Sequence, residues 1–155
     1  HKTRQLVAQM REFIKRGEGG GRLGVGLSAP QIGVLLRIII VWSAASRKFL
    51  TMINPDIIWK SRRTRLGIPE SKNPHEGCLS VPGVWGKVRR HSVIKVHYLT
   101  PVNQPVVRKF RRLTGVVVQH EIDHLDGILF IDRVLQQKGK LYQYDKTKNR
   151  FLRVG

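Results

Sequence analysis

The sequence predicts an α+β fold rather than an alternating α/β sheet. Two observations carry this. Helical periodicity is confined to a segment at the start of the chain and a second one late in it. Between and after them, strand patterns and turn residues follow one another without intervening helices, so strands should neighbour strands. The 155 residues are enough for one core and predict a single domain over 1–155.

Each element follows from its pattern. Over 3–16, Leu6, Val7, Met10, Phe13 and Ile14 fall on one helical stripe among Lys2, Arg4, Arg11, Lys15 and Arg16. A basic amphipathic segment can be an organelle-targeting remnant; the regular stripe and the presence of Glu12 favour a first core helix. The helix should end at the Gly17-Glu18-Gly19-Gly20-Gly21 link. Residues 24–33, Gly24-Val-Gly-Leu-Ser-Ala-Pro-Gln-Ile-Gly33, predict a short extended stretch with close backbone approach. Strands are expected over 36–42 and 49–59, the second broken near Asn54-Pro55. The basic, proline-containing segment 61–75 predicts a loop. A strand over 88–99 should pair with 105–110 across Pro101-Val-Asn-Gln, and 112–126 should be a helix ending at Gly127. The chain should finish as a hairpin, 141–145 with 150–154, over Lys146-Thr-Lys-Asn.

The formal net charge is +19, from 29 Lys and Arg against ten Asp and Glu. Such a field draws in polyanions and says nothing about catalysis. Five of the ten acids, Glu76, Glu121, Asp123, Asp126 and Asp132, lie in or just after two short segments, which suggests specific tasks. A single cysteine, Cys78, excludes a disulfide framework. The longest apolar stretch, 38–42, is far short of the ~20 residues of a membrane span.

The chemistry concentrates in His120-Glu121-Ile122-Asp123-His124. Residues four apart on a helix share a face, so both imidazoles can reach one ion, and Glu121 beside them can take a proton from bound water. Leu113, Val116 and Val117 continue the histidine stripe, while Val118, Ile122 and Leu125 make a second apolar face. This helix should therefore be buried on most sides. The remaining ligand decides the class. A metzincin would have histidine at 130, where Phe130 stands, and no glutamate or histidine follows His124. The third ligand should come from upstream, among His75, Glu76, Cys78, His91 and His97. Cys78 is the best of these, because a divalent cation deprotonates a thiol and two histidines with one thiolate leave an open catalytic position. Glu76, two residues away, needs a cationic partner, which Arg89 or Arg90 can supply.

Three ordered segments, Gly24-Val-Gly-Leu-Ser-Ala-Pro-Gln31, Glu76-Gly-Cys-Leu-Ser80 and Gln119-His-Glu-Ile-Asp-His124, resemble the signature motifs of the peptide deformylases. The resemblance implies small mixed or antiparallel sheets wrapped around a buried metal-binding helix. It implies a metal held by Cys78, His120 and His124, Fe(II) in the cell with Zn(II) or Ni(II) as substitutes in purified protein. It implies Glu121 as general base, with the Gln31 amide and the Leu79 N–H donating to the oxyanion. The substrate would be an N-formylmethionyl peptide, its backbone approaching closely at Gly26 and its side chain walled by Val25, Val116, Val117 and Trp85. A monomer working near the ribosome, without membrane attachment, is expected. A cytoplasmic location in a bacterial or phage-encoded setting is expected first, a mitochondrion or plastid second. Family members carry a further N-terminal segment with a proline motif, whereas this sequence starts close to the first helix; its hairpin-like end also differs from the C-terminal helix of one large subgroup.

Two rivals stand beside this. A metallopeptidase cutting internal bonds shares the helix motif but lacks the downstream ligand. A ribosome- or RNA-associated basic protein with a structural metal site is favoured by the charge and by Tyr142, Tyr144 and Phe151 among basic residues, which could stack bases. The plain alternative for that tail is a solvated hairpin edge blunted by lysines.

Overall fold

Strand patterning and turn chemistry lay a large part of the chain down as antiparallel ladders. The structure, a computed structural model, describes residues 2–16 and 25–154. In chain order these form α1 (Lys2–Lys15), β1 (Gly26–Ser28), a 3₁₀ turn (Ala29–Ile32), β2 (Ile38–Ser43), β3 (Lys48–Lys60) and β4 (Thr64–Leu66). There follow β5 (Glu76–Cys78), β6 (Val81–Gly86), β7 (Arg89–His91), β8 (Val93–Leu99) and β9 (Pro105–Arg111). The chain continues through α2 (Arg112–Leu125), α3 (Phe130–Gln136), β10 (Leu141–Asp145) and β11 (Arg150–Val154). The glycine link expected at 17–21, and Gly24, lie outside the described residues.

Five strands form one sheet in the order β1-β2-β3-β8-β9, four another in the order β11-β10-β6-β5, and β4 pairs with β7. Every pairing is antiparallel. With helices set apart from these sheets, the fold is α+β.

Strand alternation explains why β2 is apolar from Ile38 to Trp42. Ile38 and Ile40 face α1 and pack with Leu6, Val7 and Met10. Ile39 and Val41 face the other way, joining Val116, Val117, Val118 and Ile122 of α2. The sheet is thus covered on both faces at this strand. Each fully buried aliphatic side chain contributes roughly 1.5–3 kcal/mol. Residues Gly115 to His124 of α2 are all buried, as its two apolar faces predicted, whereas Leu113 at its start is exposed. A third cluster joins Cys78 and Val88 to Phe130 and Val134 of α3.

Three expectations need correction, and one helix was not expected at all. The segment 61–75 is not wholly a loop, since β4 pairs with β7. The strand expected over 88–99 is two strands parted at Ser92, whose N–H is taken by the Arg63 carbonyl while Ser61 Oγ accepts from Val93 N–H. The break near Asn54-Pro55 is a bulge inside one long strand: the register shifts between Ile53 and Asp56, and Asn54 takes a left-handed φ of 51°. Helix α3 had no sequence signal of its own, because seven residues are too few to show a period; Asp132 Oδ2 caps it by accepting from Leu129 N–H at 2.8 Å. Among the described residues no helix is long and apolar enough to cross a membrane.

Candidate metal centre

Helical spacing sets His120 and His124 on one face of α2, and the β5–β6 hairpin carries Cys78 over to them. The hairpin turns tightly at Leu79-Ser80, so that Cys78 pairs with Val81. Gly77 is required there: a Cβ would sit 2.5 Å from Cζ3 of the Trp85 ring on the facing strand. Cys78 Sγ lies 3.2 Å from His124 Nε2, and the ligand atoms of Cys78, His120 and His124 all fall within 4.8 Å of one another. The other upstream candidates are engaged elsewhere. His75 Nδ1 is 2.6 Å from Asn73 Oδ1, and His91 Nδ1 is 2.8 Å from the Ser61 carbonyl. His97 pairs with Val107 and Asp56 in the large sheet.

Behind the ligands lies a buried charge network. Glu76 receives two hydrogen bonds from Arg90, each 2.8 Å, and a third at 2.8 Å from His120 Nδ1. An ionised carboxylate only accepts, so Nδ1 carries the proton and Nε2 is left for an ion. Arg90 also donates to Asp123 at 3.0 Å, and Asp123 is gripped by Arg133 of α3 at 2.8 and 3.1 Å. Burial alone would raise the Glu76 carboxyl; the Arg90 guanidinium and His120 outweigh it and hold the group at about 2. Burial likewise opposes ionisation of Cys78, but hydrogen bonds from His120 and His124 bring the thiol down to about 5. Burial depresses His120, and its contacts with Cys78 and Glu76 reverse this, carrying it up to about 10. Thiolate and carboxylate together make this a place that attracts positive charge.

Glu121 projects beside the ligands. Its Oε2 is buried without a hydrogen-bond partner among the described residues, and burial pushes the group up to about 7 against the pull of His120 and His124. A buried carboxylate oxygen left unpaired is costly, which marks a position reserved for chemistry or for an ion. Gln31 reaches the site from the 3₁₀ turn. Its Oε1 accepts from Ser28 N–H at 2.9 Å and Ser28 Oγ at 3.0 Å, so its Nε2 faces Cys78 Sγ, 3.5 Å away. Donor chemistry and the orphaned carboxylate both fit one bound metal ion.

The polypeptide deformylase family model matches residues 1–140. A peptide deformylase of Desulfotalea psychrophila is 40% identical over 133 residues, 83% of this chain and 73% of the relative. A Met-Ala-Ser-bound class I type b peptide deformylase from Acinetobacter baumannii superposes with a TM-score of 0.72 at 35% identity, over 86% of this chain and 81% of that one. A probable peptide deformylase from synechococcus phage S-SSM7 gives 0.72 at 38% identity, covering 85% and 83%.

The chain belongs to the peptide deformylase family.

Against that family the remaining expected residues take definite places. Gly26 is where α2 presses on β1: a Cβ there would stand 2.7 Å from Val117 Cγ1 and 3.1 Å from Glu121 Oε1. Val25 packs on the cluster that contains Val117. Val116 lines a cleft of about 350 Å³ together with Gly67 and Pro69. Trp85 lies over Gly77 and meets the Phe151 ring edge-on at 6.0 Å, while Phe151 stacks on His75 at 4.3 Å. Leu79 is half-buried at the hairpin tip, one residue from Cys78. Of the two arginines offered to Glu76, Arg90 is the partner; Arg89 bonds to Thr64 and Gln137. Asp123 and Arg133 were missed as parts of the deformylase site. The one signal for Asp123 was a carboxylate kept inside the motif of a very basic chain.

Proposed function

We propose that this chain hydrolyses the formyl amide at the N-terminal methionine of new polypeptides, releasing formate and a free amine. The observation that carries it is the buried, unpaired Glu121 Oε2 beside a Cys-His-His group, in a chain of the deformylase family. Cys78, His120 and His124 would hold the metal, with Fe(II) suiting a thiolate and two imidazoles, and Zn(II) or Ni(II) able to use the same donors. Bound there, a divalent cation supplies a Lewis acid that activates water and polarises the formyl carbonyl.

The chain's own residues do the rest. Glu121 takes the proton of the attacking water and returns it to the departing nitrogen. The Gln31 amide, fixed by Ser28, and the Leu79 N–H at the hairpin tip donate to the developing oxyanion. Val25, Val116, Val117 and Trp85 wall the methionine side chain, a flexible thioether suited to irregular apolar space, and the peptide backbone passes close to Gly26. The net charge of +19 supports work as a monomer close to the anionic ribosome, in a bacterial or phage-infected cytoplasm or an organelle of bacterial type.

The test is anaerobic purification with metal analysis, then turnover of a formyl-Met dipeptide beside the same dipeptide unformylated. Formate release in step with metal content is expected. Cleavage of internal bonds in the unformylated peptide would identify a metallopeptidase instead. Formyl-Met, formyl-norleucine and formyl-Ala peptides read the side-chain pocket, and equal efficiency for Ala and Met would remove it.

A further inference from the structure

Two clefts of about 350 and 700 Å³ lie side by side, sharing Pro69, Glu70, Arg111 and Arg112 as common wall. Arg63 and Arg65 line the first, and Arg108 and Lys109 the second. Among the described residues Glu70 is the one carboxylate on the walls of either at the surface, set against six surface cations. It engages only Arg112, at 3.6 Å, with both groups well exposed. Arg63, Arg65, Arg108, Lys109 and Arg111 have no carboxylate within ion-pair reach among the described residues, so their charges are uncompensated. Across the ladder, moreover, Lys109 stands directly opposite Lys95, a like-charge pair that costs stability.

Basic residues on an edge strand commonly serve only to prevent strand pairing, and β9 is an edge. That purpose accounts for Lys109 and Arg111. It leaves Arg65, which belongs to a different sheet, Arg63 just ahead of it, and Arg112, which opens α2 with a left-handed φ of 56°. Arginines from three elements converge on one groove. Guanidinium forks match phosphate oxygens bidentately, and a row of them suits a repeating polyanion better than a single small anion.

We propose that this double cleft is a docking groove for the phosphodiester backbone of RNA. The choice of RNA among polyanions rests on the proposed activity, whose substrate emerges from a particle built largely of RNA. Val116, one helical turn ahead of His120, lines the first cleft, so the groove borders the helix that carries two of the metal ligands.

The experiment measures binding of a fluorescein-labelled 20-nucleotide single-stranded RNA by the metal-loaded protein across a salt series. The groove variant is Arg63→Gln/Arg65→Gln/Arg111→Gln. A charge-matched control is Lys148→Gln/Arg150→Gln/Arg153→Gln on the C-terminal hairpin. The groove variant should lose about tenfold or more in affinity at physiological salt, and its log–log salt slope should flatten by about 2, near 0.7 for each phosphate contact removed. The control should change little. Equal losses in both variants would reduce the effect to the diffuse field of a basic protein and overturn the groove. Polyglutamate displacing the RNA at equal charge concentration would overturn RNA in favour of an acidic peptide. Crosslinking of the unsubstituted protein to 4-thiouridine RNA reads the same surface without mutation: adducts within 61–70 and 105–114 are expected, and adducts confined to 141–154 would refute it. Formyl-Met dipeptide turnover, measured alongside, should be unchanged in the groove variant; absent turnover in the unsubstituted protein would strike the activity and leave the RNA result standing.

Discussion

Arg90→Met removes one cation from a buried network and leaves Glu76 with its charge. Both side chains are almost fully enclosed, Arg90 at 5% and Glu76 at 0% exposure. Asp123 keeps its second partner, Arg133, so the loss falls on Glu76, whose two arginine hydrogen bonds vanish together. His120 Nδ1 alone would remain to it. Breaking a buried pair from one side costs about 3–5 kcal/mol, because the orphaned charge keeps its desolvation penalty. In a chain of this length that corresponds to about 6–20 °C in Tm. Denaturant unfolding of chelator-treated protein gives the value without a contribution from bound metal. The double variant Arg90→Met/Glu76→Met should recover most of the loss, since neither charge is then left behind. A cost below about 1 kcal/mol for Arg90→Met, the scale of an exposed pair, would refute the view that this network holds the Cys78 hairpin to α2.

Glu121→Gln should keep its metal but lose at least about two orders of magnitude in turnover, as removal of a general base does; metal content and rate in one preparation decide it, and near-normal rates at full loading would take Glu121 out of the mechanism. Gln31→Ala should lower kcat by about two to three orders with little change in KM, the mark of a donor used in the transition state. Steady-state kinetics on formyl-Met dipeptides will read that split. Gly26→Ala places a methyl against Val117 and Glu121 and should cost about 1–3 kcal/mol of stability; partial recovery in Gly26→Ala/Val117→Ala, measured by thermal melting, separates this clash from a loss of backbone freedom.

His120 and His124 were legible because helical spacing alone puts i and i+4 on one face, and the buried surroundings of α2 followed from its two apolar stripes. Cys78 was reached by elimination, from the absence of any ligand downstream and from the chemistry of the one thiol. Its position on a hairpin was not legible. β5 has three residues, one a glycine, and the sheet that holds β6 is completed by β10 and β11, more than fifty positions later. Strands this short owe their existence to partners, and no local propensity announces them. The same applies to β4, which is a strand because β7 lies beside it. The Gln31 amide faces Cys78 across 47 positions of sequence, a proximity that motif resemblance suggested and composition could not.

The aromatic tail shows how structure redirects a pattern. Tyr142, Tyr144 and Phe151 among lysines resemble a base-stacking platform when read along the chain. In the fold Phe151 stacks on His75 and takes the edges of Trp85, Tyr142 and Tyr144, so these rings pack with one another over the strands behind Cys78. His75 thus covers one face of Phe151, Tyr144 stays well exposed, and the hairpin becomes a brace for Trp85 and, through it, for Gly77 and the Cys78 turn. The cations tell the opposite story. Those near Glu76 and Asp123 are consumed by buried carboxylates, whereas Arg65 of β4 and Arg108, Lys109 and Arg111 of β9 have no ion-pair partner among the described residues and line adjoining clefts. A basic chain thus divides its charge: a small internal share fixes the metal-ligand loop, and the surplus on one surface is what a polyanion would meet.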